Sequence, residues 1–113
     1  LALAASGLNG QNFAFVGYLP QDASERQARL RQLENTAHSS GQSQLFIETP
    51  YRNTALLGAL LQTMNGNTRL ALSCGLTLEA AWSRSALVSA WKSRRDEKPA
   101  PPLSLPTVFC IGR

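Results

Sequence analysis

Apolar residues along this chain fall in short blocks, separated by polar stretches rich in glycine, proline, serine and asparagine. Phe13-Ala-Phe-Val-Gly-Tyr18 has strand-forming composition and is stopped by Leu19-Pro20. A helix is predicted from Asp22 or Ser24, because Asp22 with Glu25 and Ser24 with Gln27 are overlapping capping-box spacings. Leu30, Leu33 and Ala37 make a narrow apolar stripe on it, with arginines on the other faces, as on a half-exposed helix. His38 to Ser43 reads as a loop. Leu45-Phe-Ile47 is a continuous apolar run with polar flanks, the signature of a buried strand.

Thr49-Pro50 then offers a good N-cap and a proline at the favoured first helical position. The helix that follows carries Leu56, Leu57, Leu60, Leu61 and Met64, and Asn65-Gly66-Asn67 ends it. Arg69 to Ser73 is a further strand. Trp82-Ser-Arg84 reads as a short strand, and Ser85 to Arg94 as a short helix capped by Ser85 with Leu87, Ala90 and Trp91 facing inward. Arg94 and Arg95 suit the negative carboxyl end of that helix. A charged, proline-rich connection from Asp96 to Pro102 leads to a last strand, Pro106 to Ile111. Strands alternating with helices predict an α/β layer structure.

Composition narrows the function without choosing it. The chain has 113 residues, 43% of them apolar, which suits one globular domain. No apolar run approaches the roughly 18 residues needed to span a bilayer, so a soluble protein without a membrane partner is expected, and two isolated cysteines in apolar contexts are normal for a reduced cytoplasm. The formal charge of +4 includes Arg26, Arg29, Arg31, Lys92, Arg94 and Arg95, a balance compatible with a polyanion or with a solvated surface. Cys74 and Cys110 are too few for a disulfide framework, and His38 is the only histidine, so no zinc site is expected. Leu1 to Gly7 lacks the basic start of a signal peptide and reads as the end of a helix with a glycine cap. A chain starting inside a helix is expected to be a fragment.

Four segments then carry a family resemblance over nearly the whole chain: Ser6-Gly7-Leu8, Phe15-Val-Gly-Tyr-Leu-Pro20, Leu45-Phe-Ile-Glu-Thr-Pro-Tyr-Arg52 and Pro106-Thr-Val-Phe-Cys-Ile-Gly112. Together they resemble the second domain of the tetrapyrrole methylase family, in particular its small-subunit ribosomal RNA ribose methyltransferases. The resemblance implies residues 1–113 as a single carboxy-terminal domain, 1–8 being the end of a truncated helix. It implies a mixed sheet of about five strands with helices packed on it. It also implies a homodimer and S-adenosylmethionine as cofactor. Two domains enclose that cofactor in the family, and the glycine-rich turn of the first has no counterpart here. No catalytic residue is therefore assigned to this chain. The matching motifs put Glu48 and Thr49, Ala71 and Leu72, and Pro106 and Thr107 at the cofactor. Ligands of open α/β sheets bind outside the carboxyl ends of strands, where backbone groups stop pairing. Each residue also has an ordinary structural reading: Thr49 as a cap, Ala71 as strand core, Thr107 as a β-branched strand residue. Arg52 either pairs with Glu48 or meets an anionic substrate.

The chain departs from the ribosomal RNA branch in two places. Gln21-Asp22 follows Leu19-Pro20 where that branch has a basic cluster, and Cys74-Gly-Leu-Thr-Leu78 replaces a charged Glu-Leu-Thr-Lys segment. Both changes remove charge where an RNA backbone favours it. The methyl acceptor stays open between RNA, a tetrapyrrole and another molecule. Two other classes compete. One is a non-enzymatic module binding nucleic acid through Arg26, Arg29, Arg31 and the Lys92–Lys98 run, or serving dimerisation. The other is a hydrolase built on His38, Asp22 and a serine, for which no Gly-x-Ser-x-Gly elbow is present.

Overall fold

The fold is given by a computed structural model, which describes residues 12–75, 82–94 and 97–113. Leu1 to Leu8, the Leu76-Thr77-Leu78 part of the uncharged segment, Arg95 and Asp96 lie outside the described residues. Strand β1 is Phe13–Tyr18, helix α1 Ala23–Ser40, β2 Ser43–Ile47 and α2 Asn53–Thr63. They are followed by β3 Arg69–Cys74, β4 Trp82–Leu87, α3 Val88–Ser93 and β5 Thr107–Gly112. The five strands form one sheet in the order β1-β2-β5-β3-β4. The β1–β2 pair is parallel and the other three pairs are antiparallel, giving the mixed α/β sheet that was expected.

Helix α1 begins where its capping chemistry says it should. Asp22 Oδ accepts from the Glu25 N–H at 2.9 Å, satisfying one of the free donors of the first turn. Its end corrects the expected loop at His38, since the helix continues to Ser40. The hydroxyl of Ser40 donates to Thr36 O at 2.7 Å, and Gly41, at φ 74°, donates its N–H back to Ala37 O. Glycine takes this left-handed turn without the Cβ penalty, so it sets the boundary. Strand β2 accordingly starts at Ser43.

Two more boundaries move. Thr49 does not cap an α-helix: Pro50–Arg52 form a 3-10 turn, and α2 starts only at Asn53. The segment expected as a helix from Ser85 is divided. Ser85 lies inside β4, and Leu87 is the strand's exposed last residue rather than an inward one. Six paired positions with β3, from Arg69↔Leu87 to Cys74↔Trp82, outweigh the weak helical preference of Ser85 to Leu87. Helix α3 then starts under direction from the β3 approach. Val88 N donates to Thr68 O and Ser89 N to Gly66 O. Trp91 is buried, as expected, and its indole N–H donates to Leu70 O at 2.9 Å.

The core lies on one face of the sheet. Phe46, Leu70, Leu72, Phe109 and Ile111 meet Leu30 and Leu33 of α1, Leu56, Leu60 and Leu61 of α2, and Val88 and Trp91 of α3. Phe46 and Phe109 stack with centroids 5.9 Å apart across the β2–β5 pair. Each such side chain contributes roughly 1.5–3 kcal/mol on burial. Leu45, Ala71 and Cys110 form a smaller buried cluster, with Val108 packed against it. Because β2 and β3 both run antiparallel to β5, strands β1, β2 and β3 point the same way. Their carboxyl ends therefore share one end of the sheet with the amino ends of β4 and β5.

Candidate functional site

At that shared end the sheet stops in a definite row. The last β2 partner is Ile47, opposite Val108, so Glu48 comes next to Thr107. On the other side Thr107 pairs with Cys74, the last residue of β3. Glu48, Thr49, Pro106 and Thr107 are thus brought together by the central position of β5. Ala71 and Leu72 sit further in, opposite Cys110 and Phe109 of β5 and also opposite Ser85 and Arg84 of β4. Leu72 is fully buried in the core, while Ala71 belongs to the smaller cluster.

The polar atoms of this end are largely committed to holding backbone. Glu48 is buried, and its Oε1 accepts from Thr49 N at 2.8 Å and lies 3.4 Å from the Thr49 hydroxyl. The Thr49 carbonyl in turn accepts from Arg52 N, which closes the 3-10 turn. Arg52 does not pair with Glu48: its guanidinium lies 5.1 Å from the centroid of the exposed Tyr51 ring. Thr107 Oγ1 donates to Leu105 O at 2.9 Å and lies 3.3 Å from Cys74 Sγ. Pro106 O accepts from Gly75 N. The end of the sheet is therefore lined by backbone groups, two hydroxyls and one carboxylate, with no basic side chain among Glu48, Thr49, Ala71, Leu72, Pro106 and Thr107. That set fits a neutral or cationic ligand and is ill suited to a phosphate.

Both cysteines are buried and free, and burial raises both thiols. Cys110 is pushed up to about 12, whereas for Cys74 the rise by burial is opposed by the hydrogen bond with Thr107. Neither thiol is poised as a nucleophile, which needs a lowered value.

The residues considered for hydrolysis are not assembled. Asp22 precedes the first turn of α1 and His38 lies in its last turn, so helix rise alone separates them by about 24 Å. His38 instead contacts Thr68 at 2.8 Å, at the opposite end of the sheet. The basic residues are dispersed as well. Arg29 donates to Gln32 on its own helix, and Arg94 forms a 3.8 Å ion pair with Glu97 at exposed positions.

Among the buried polar residues that escaped the sequence reading, three hold distant parts of the chain together. Asn53, Glu34 and Thr68 are almost wholly covered and bonded to partners distant in sequence. Glu34 could have been noticed, because it lies beside Leu30, Leu33 and Ala37 on the apolar stripe. Asn53 and Thr68 carried no local signal. Arg84 was also unmarked; it lies 5.0 Å and 5.4 Å from the ring centroids of Trp82 and Trp91. Its guanidinium also donates to Pro99 O.

No protein-family model matches the chain. Individual proteins do. A ribosomal RNA small subunit methyltransferase I from Mesorhizobium japonicum is 29% identical over 111 residues, covering 98% of this chain and 36% of the relative. One of the same name from Vibrio cholerae is 30% identical over 76 residues, covering 67% of this chain and 25% of the relative. The chain thus spans about a third or less of the length of these relatives. Among solved structures, the methyltransferase CobJ matches with a TM-score of 0.55 at 17% identity, over 99% of this chain and 46% of that one. Uroporphyrin-III C-methyl transferase from Thermus thermophilus, complexed with S-adenyl homocysteine, matches with a TM-score of 0.51 at 14% identity, over 98% and 48%. The resemblance carried by the sequence segments therefore holds: this chain is a tetrapyrrole-methylase-like α/β domain, related in sequence to ribosomal RNA small subunit methyltransferases I.

Proposed function

We propose that residues 1–113 are the second domain of an S-adenosylmethionine-dependent methyltransferase and supply one wall of its cofactor pocket and acceptor cleft. The observation that carries this reading is the row Glu48, Thr107 and Cys74 at the end of the sheet, with Thr49 and Pro106 beside it. A nucleoside edge carries neutral donors and acceptors, and a sulfonium is cationic; a wall of backbone groups and one carboxylate suits both. Bound there, S-adenosylmethionine supplies a methyl group on a positively charged sulfur.

This chain's own residues position and exclude water rather than move protons. Glu48 holds the Thr49 amide and so shapes the turn after β2. Thr107 fixes the entry of β5 through Leu105 O. Ala71 and Leu72 lie deeper in β3 with side chains on opposite faces of the sheet, so Ala71 belongs with Leu45 and Cys110 while Leu72 supports the row from within the core. Alignment of two reactants in a dry site can supply much of the rate of a displacement that needs no base from this domain. Ribosomal RNA is the favoured acceptor because the named activity of both sequence relatives is on it. A tetrapyrrole is the second reading, favoured by the fold match to a uroporphyrin methyltransferase. A cytoplasmic homodimer completes the proposal, and no helix among the described residues is long and apolar enough to cross a membrane.

Calorimetry of the whole gene product with S-adenosylmethionine is the test, followed by transfer of labelled methyl to small ribosomal subunits or to a uroporphyrinogen. Binding by the whole protein and weak or undetectable binding by the 113-residue chain are expected. A whole protein that does not bind the cofactor would overturn the proposal.

A further inference from the structure

Asn53 is completely buried at the first position of α2, directly behind the 3-10 turn that follows Glu48 and Thr49. Its Nδ2 donates to Leu103 O at 3.0 Å and to Leu105 O at 3.1 Å. Both partners are carbonyls, so the amide orientation is set by chemistry: reversed, the oxygen would face two acceptors. The partner loop explains why it needs this donor. Pro99, Pro101, Pro102 and Pro106 have no N–H, so the connection is rich in carbonyls and poor in donors. Its short internal bonds, Leu103 N to Pro101 O and Leu105 N to Pro102 O, leave the carbonyls of Leu103 and Leu105 to be satisfied elsewhere.

Leu105 O has a second donor, the hydroxyl of Thr107 at 2.9 Å, and Thr107 lies against Cys74. A continuous link therefore runs from the start of α2 through Asn53 and Leu105 to the first residue of β5. The arrangement carries a cost. Asn53 Oδ1 finds no donor among the described residues, and an unpaired buried acceptor typically costs about 1–3 kcal/mol. The two bonds to Leu103 O and Leu105 O offset that cost, so the amide is placed there for the loop it holds.

We infer that Asn53 is a positioning residue: it clamps the proline-rich loop to the β2–α2 junction and so sets the spacing between Glu48-Thr49 and Pro106-Thr107. The inference rests on the cofactor reading above. It adds that the two walls of the site are tied to each other by one side chain that touches neither ligand nor reacting atoms.

The test compares Asn53→Leu with Thr68→Val, a control that breaks a buried contact at the far end of the sheet, both in the whole gene product. Hydrogen exchange at the Leu103, Leu105 and Gly75 amides reads the clamp, and calorimetry reads S-adenosylmethionine affinity. Asn53→Leu is expected to raise exchange at these amides and to weaken cofactor binding about tenfold, which is about 1.4 kcal/mol. KM for the cofactor should rise by a similar factor while kcat at saturation falls less, and Thr68→Val should leave affinity within about twofold. Unchanged exchange in a folded Asn53→Leu protein overturns the clamp, whatever the ligand. Faster exchange with unchanged affinity overturns the positioning role and leaves the cofactor reading standing. A wild-type protein that binds no cofactor overturns both. Should Asn53→Leu fail to fold, Asn53→Ser decides, because its shorter side chain stays polar but does not reach both carbonyls; equal affinity and equal loop exchange there reject the inference.

Discussion

The two ends of the sheet are both held by buried polar side chains, yet in opposite chemical states. At the end where β3 begins, Glu34 of α1 accepts from Asn65 N at 2.8 Å, from Asn65 Nδ2 at 3.3 Å and from the Thr68 hydroxyl. Thr68 has given its only proton to Glu34, so toward His38 it is an acceptor, and His38 Nε2 carries the proton between them. Donors and acceptors match, and the carboxylate ties α1 to the loop before β3. At the other end acceptors outnumber donors. Asn53 Oδ1 is unpaired, and Thr107 donates to Leu105 O while lying 3.3 Å from the Cys74 thiol. A closed polar network serves stability, whereas an incompletely satisfied one marks a surface arranged for something else.

The largest test of the contrast is the part both ends share. Phe109→Ala removes one ring of the Phe46–Phe109 stack in the fully buried core and should cost about 3–5 kcal/mol. Urea denaturation should show one transition, with both ends loosening together; two separated transitions would show that the ends are independent units and that the contrast is between domains.

Alkaline titration comes next. Burial pushes the Cys110 thiol up to about 12 from its ordinary 9.0, so the native state keeps a proton that the unfolded chain gives up. The stability from this group is whole below pH 9 and declines as pH climbs toward 12, by at most about 4 kcal/mol. Cys110→Ala should flatten this alkaline limb more than Cys74→Ala, because the hydrogen bond with Thr107 opposes the rise at Cys74. An equal effect of the two variants would remove the distinction between mid-sheet and open end.

Thr68→Val should cost about 1–3 kcal/mol, since it takes the hydroxyl from Glu34, which keeps only its Asn65 donors, and leaves His38 Nε2 without its partner. The urea midpoint measures it, and exchange at Gly75, across the sheet, should not change. Asp22→Ala is the smallest change. Loss of its cap to Glu25 N should cost about 1 kcal/mol and raise exchange only in the first turn of α1. Any effect of Asp22→Ala on cofactor affinity would mean that the start of α1 belongs to the site.

Much of the architecture was legible because it is written at short range. β1, β3 and β5 are apolar runs, and Asp22 and Glu25 lie at capping distance in sequence. Gly41 and the Asn65-Gly66-Asn67 stop mark real boundaries, though α1 reached Ser40 where the polar composition had suggested a loop. β4 was underestimated for a physical reason. Trp82 to Leu87 has no strong alternation of its own and takes strand form because β3 offers it a full ladder. The site was legible only in part. Glu48, Thr49, Pro106 and Thr107 were named through family resemblance, and the structure brings them to one end. Ala71 and Leu72, named on the same grounds, lie deeper in the sheet.

The sequence by itself determined an α/β alternation, the caps, the main apolar faces and the kinship. Tertiary structure alone decided that β5, last in the chain, enters between β2 and β3 and so sets Thr107 between Glu48 and Cys74. It alone decided that Asn53 meets carbonyls 50 and 52 residues away, and that Glu34 meets Thr68 34 residues away. Propensity and capping act within a turn or two of helix, and their signals lie in neighbouring residues. A hydrogen bond across the fold depends on where β5 enters, and no stretch of a few residues contains that choice.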